Sequence, residues 1–93
     1  MGGKPHADVV ALQALGWIAA DDGRLAAFLD LTGLAPADLR ARAQEPIILA
    51  AVLDFLMQDD RTVLAFCADA GLPPEAPMAA RAALPGGDLP HWT

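Results

Sequence analysis

Residues 21–36 read DDGRLAAFLDLTGLAP, and residues 59–74 read DDRTVLAFCADAGLPP. Set one over the other at an offset of 38, seven of these sixteen positions are identical: Asp21/Asp59, Asp22/Asp60, Ala27/Ala65, Phe28/Phe66, Gly33/Gly71, Leu34/Leu72 and Pro36/Pro74. The register continues backwards through Val9/Ile47, Leu15/Leu53, Trp17/Phe55 and Ile18/Leu56. An excess of alanine does not produce matched Asp-Asp, Phe, Gly-Leu and Pro positions. The repeated unit is a long apolar helix, a corner of paired aspartates, a shorter helix carrying Phe, a glycine stop and a Leu-x-Pro restart. Such a unit cannot readily bury its apolar stripe alone, whereas two copies facing each other can. The expected fold is therefore a compact all-α bundle of about six short helices with an internal duplication. The repeat units cover about 9–43 and 47–84 of a single domain spanning 1–93, with a flexible tail over 85–93.

The first helix is expected from His6 to about Ala20. Val9, Leu12, Leu15 and Ile18 recur at spacing three, and Val10, Ala14 and Trp17 widen the stripe, with Trp17 as a core anchor. Gly16 costs about 1 kcal/mol against alanine in a helix interior and suggests a close approach by another helix. Asp21 or Asp22 caps a second helix, which turns Leu25, Phe28 and Leu29 inward and stops at Gly33. Pro36 opens a third up to Ala43, with Asp38 near its start and Arg40 and Arg42 near its end, as the helix dipole favours. Pro46 opens PIILAAVLDFLMQ, which is apolar on nearly all sides and therefore central. Phe55 is expected to be largely buried there beside Val52 and Leu56. Ala50, Ala51, Asp54, Gln58 and Arg61 fall on one side and read as a narrow solvent strip. Asp59-Asp60 starts a fifth helix with Val63, Leu64, Phe66 and Cys67, ending at Gly71. A sixth runs from about Glu75 to Leu84, with Pro77 in its first turn. No stretch alternates as a strand would.

Charge narrows the classes of function. Twelve acids against six bases give a net charge of −6, which disfavours nucleic acid and anionic membrane surfaces alike. The one basic helix segment, PADLRARAQ, mixes Arg40 and Arg42 with Asp38. The opening MGGKPHADVV has no apolar run with a cleavage signal. The stretch from Pro46 to Met57 is broken by Asp54 and too short to span a bilayer. A lone Cys67 fits a reducing compartment, and a cytoplasmic address is expected.

Chemistry-bearing residues are sparse. Asp21, Asp22, Asp59 and Asp60 would bind a divalent cation only if the two corners met; helix capping explains them without a ligand. Cys67 reads as a buried thiol, because a nucleophile needs a base and His6 and His91 sit at opposite ends. Neither zinc spacing nor a phosphate-binding glycine loop is present. No catalytic, cofactor-binding or metal-ligating residue is therefore assigned. Trp92 either docks with Leu89 through the Gly86-Gly87 link or ends a disordered tail.

The line ALGWIAADDGRLAAFLDLTGLAPADLR, continued by PIILAAVLDFLMQDDRTVLAFCADAGLPPE, resembles a family of small alphaproteobacterial proteins catalogued only as a domain of unknown function. The resemblance covers roughly residues 9–84 and rests on the AL-G opening, the TGL turn, the VLDFL helix and the FCADAGL stretch. It implies an uncharacterised cytoplasmic protein and supplies no site residue. The leading expectation is a non-enzymatic helical protein that contacts other chains or itself. The alternatives are an enzyme using the aspartate corners and a DNA-associated regulator using the third helix.

Overall fold

The computed structural model describes residues 6–84, so the expectations for His91, Trp92 and the tail lie outside the described residues. The described residues form α1 (Ala7–Ala19), α2 (Asp22–Thr32), α3 (Pro36–Arg42), α4 (Pro46–Leu56), α5 (Asp60–Ala70) and α6 (Ala76–Ala82), with no strand among them. The all-α bundle of six short helices is as the sequence predicts.

The corners follow from local chemistry. Asp21 and Asp59 stand in extended backbone just before α2 and α5, and their carboxylates accept from the backbone N–H of Arg24 and Arg61, each at 2.9 Å. The first aspartate of each pair is thus the cap, and the second lies in the first turn, where the positive end of the helix dipole favours it. Gly33 and Gly71 end these helices at φ 75° and 71°, a left-handed conformation that a Cβ would strain. Pro36 occupies the first turn of α3, where its missing N–H leaves no bond unmade.

Packing centres on α1 and α4, which lie against each other. Val10, Ala11, Ala14, Leu15 and Ile18 are buried on α1. Adding 38 to each gives Ile48, Leu49, Val52, Leu53 and Leu56, all buried on α4. The α1 face expected from the spacing of three is therefore corrected, since Val9 and Leu12 are exposed. Each residue turns a helix by about 100°, so three steps of three leave Val9 about 180° from Ile18. The i, i+4 rows 10–14–18 and 11–15 hold one face, and their two alanines admit α4 closely.

Phe28 and Phe66 are fully enclosed. Phe66 meets the edge of Trp17 at 5.8 Å between ring centroids, and Phe28 meets Phe55 at 5.4 Å, both near-perpendicular. Trp17 and Phe55 are equivalent positions, so each pair joins one half of the chain to the other. These two rings pack against the core, in line with both expectations, and each keeps part of its surface exposed. They sit at the rim of the α1–α4 seam, outside the i, i+4 rows that fill it.

Helix α6 packs on both α1 and α4 and buries Ala76, Pro77 and Ala80. Arg81 Nε of this helix donates to Asp54 Oδ1 at 2.7 Å. The expected solvent strip holds at Asp54, Gln58 and Arg61, which are exposed, and is corrected at Ala50, which is buried; Asp54 also anchors a neighbouring helix through Arg81. Gly16 is corrected too, because it is exposed and a Cβ placed there meets nothing within 4 Å.

Two outcomes follow for urea unfolding. Gly16→Ala raises stability by about 0.5–1 kcal/mol; a loss would show that the glycine serves a close approach after all. Phe28→Ala and Phe66→Ala each cost about 3–5 kcal/mol, while Phe55→Ala costs less than either; equal losses at all three would contradict the placement of Phe55 at the rim.

Candidate functional site

The aspartate corners are occupied with capping. Asp59 also lies 4.0 Å from the exposed Arg61 Nε. Among the described residues, no group of three or more His, Cys, Asp or Glu side chains is placed to hold a metal ion. Of the two arginines on α3, Arg42 is bonded to Glu45 at 3.0 Å, and that bond raises its pKa further. Arg40 remains exposed. His6 is exposed at the start of α1 and makes no side-chain cap bond.

Cys67 is buried, as the sequence predicts. Burial pushes its thiol pKa up, and the nearby Glu75 charge pushes in the same direction. Both favour the neutral thiol, which is a poor nucleophile.

One polar constellation escaped the sequence reading. Trp17 Nε1 donates to Asp69 Oδ2 at 2.7 Å, and the Arg24 guanidinium carbon lies 3.9 Å from the centroid of the same ring. Trp17 therefore ties α1 to α2 and α5 at once. The available signal was the exchange of Trp17 for Phe55 across the repeat, since an indole N–H near a core requires an acceptor. The partners Asp69 and Arg24 align with Leu31 and Thr62, so the other half has no such cluster.

Two concavities remain on the outer side of the helices. The first, of about 300 Å³, is lined by residues that include Ala19, Leu25, Pro36, Leu39 and Arg40. The second, of about 350 Å³, is lined by residues that include Met57, Val63, Pro74, Pro77 and Met78. These five positions correspond one to one at the offset of 38. The grooves differ in character. Groove one carries the Arg40 cation where groove two carries Met78, and groove two adds the exposed Leu64 and Asp60. A third concavity, of about 480 Å³, is lined chiefly by alanines of α6 facing Ala7 and Val10.

These features define a small helical protein with paired, capped corners and an apolar groove on each half. The chain belongs to the family described as "Protein of unknown function (DUF3572)", whose model matches residues 4–87. No curated protein and no solved structure matches it.

The state of Cys67 yields a further outcome. Folding holds a proton that the unfolded chain releases near pH 8.5. Stability from this group is therefore present below that pH and is lost as pH rises towards the folded value. Native protein at pH 8 is expected to react with a thiol reagent only at its opening rate, and quickly once unfolded. Rapid labelling of the native chain would contradict the burial.

Proposed function

We propose that the protein is non-enzymatic and acts through contact with other protein chains. The observation that carries this reading is groove two, where Leu64 and Met78 stand more than half exposed beside Met57 and two prolines. Contiguous apolar surface of this kind marks contact sites in small proteins. The matched caps, buried faces, ring pairs and grooves support an internal duplication as the origin of the fold, in units of about 9–43 and 47–84 within one domain. The cytoplasmic address and the alphaproteobacterial setting belong to the same reading. No described helix is long and apolar enough to cross a membrane.

The competing readings find less support. A DNA-associated role would draw on α3, where Arg42 is tied to Glu45 within a chain of net charge −6. An enzyme at the aspartate corners would draw on Asp21 and Asp59, which are already engaged in capping.

The test is a tagged full-length chain expressed in its native cell, together with light scattering of the purified protein at several concentrations. The expected outcome is a retained protein, or a mass that rises with concentration, weakened in either case by Leu64→Asp. A strict monomer that retains nothing would contradict the reading.

A further inference from the structure

We propose that groove two seats a basic amphipathic helix of a partner protein; this narrows the contact reading above and rests on it. Four observations converge on that occupant.

The walls of the groove come from α5, α6 and the Met57 cap of α4, and its volume of about 350 Å³ suits one or two large apolar side chains. Helix-in-groove recognition uses such anchors, one turn apart. Met57 and Met78 supply unbranched, polarisable walls that adapt to the anchor. The described residues offer no strand edge for an added strand, and a helix, whose backbone bonds are internal, needs none.

Charge sets the sign of the partner. Asp60 is the acidic residue in the wall of groove two, on a chain of net charge −6. A cationic side chain flanking the apolar anchor meets this acid at the rim. A second copy of the chain is a poor donor of such a helix. It holds six Lys and Arg in all, and of the two on α3 Arg42 is bonded to Glu45.

Groove one supplies the internal control. Five of its lining positions match groove two, with Arg40 in the place of Met78, and it has no counterpart of Asp60 or Leu64. A cation there repels a basic helix, so the Arg40/Met78 position is the matched one expected to weigh most on selectivity.

The experiment uses the full chain, an isotope-labelled amide spectrum and calorimetry. The probes are a synthetic Leu–Lys amphipathic peptide of about 18 residues, five helical turns, and its Leu–Glu counterpart. The expected result is saturable Leu–Lys binding with shifts confined to α5 and α6 around Val63, Leu64 and Met78, and none with Leu–Glu. Met78→Arg weakens the binding by about tenfold or more. Gln13→Arg, which adds the same charge on the exposed side of α1, and Arg40→Met both leave it within about twofold, as screened surface charges should. Circular dichroism of each variant confirms its folding. Binding that ignores Met78→Arg, or that Gln13→Arg weakens equally, would reduce the effect to bare charge attraction and overturn the proposal. Shifts centred elsewhere, equal binding of Leu–Glu, or no binding would overturn it as well. A wild-type dimer that Leu64→Asp converts to monomer would place a second copy in the groove and overturn it too. None of these failures removes a partner retained by the tagged chain, so the broader contact reading is judged separately.

Discussion

Helices α1 and α4 each present a face of buried residues, and the packing of these two helices on each other is the most extensive in the fold. Val10, Ala14 and Ile18 on one side and Ile48, Val52 and Leu56 on the other are equivalent buried positions on two helices that pack together. At the rim of this seam the aromatic pairs cross over. Trp17 of the first half meets Phe66 of the second, and Phe55 of the second meets Phe28 of the first. Neither half holds both members of a pair. The apolar burial that offsets chain entropy is therefore available only when both halves are in place. A chain of 93 residues has little other core to rely on.

The remaining features follow from this seam. Helices α2 and α5 hang from it by Phe28 and Phe66, and their starts are fixed by the aspartate caps. Pro36 opens α3 and Pro74 lies in the turn before α6, and each lines a concavity. The symmetry fails at the third helix of each half. Helix α6 starts two residues later than the offset predicts and lies across α1 and α4, pinned by Arg81 on Asp54. Helix α3 buries Leu39 alone. The two grooves thus acquire different neighbours and different charges.

The sequence carried most of the local structure. Asp-Asp corners, glycine stops and prolines at helix starts act through neighbouring backbone groups, so six helices and their ends were legible. The face of α1 was not. Val9 and Val10 are equally apolar, and the alanines of its buried rows carry little hydropathy, so the pattern found Val10, Ala14, Leu15 and Ile18 but added the exposed Val9 and Leu12 and missed Ala11. Pairings between distant residues were also hidden. Trp17 and Asp69 are 52 residues apart and Asp54 and Arg81 are 27 apart, and no periodicity links them. The grooves were hidden for the same reason: their walls come from separate elements, and their equivalence emerges only when the repeat is carried into three dimensions.

The dependence of each half on the other is open to a direct measurement. Residues 1–43 and 44–93 can be produced as separate chains and followed by circular dichroism, alone and mixed. Each half alone should lack a cooperative thermal transition, and the equimolar mixture should recover helical signal and a transition that rises with concentration. A cooperative transition in either half alone would show that the crossed rings and the shared α1–α4 seam are not what holds the fold together.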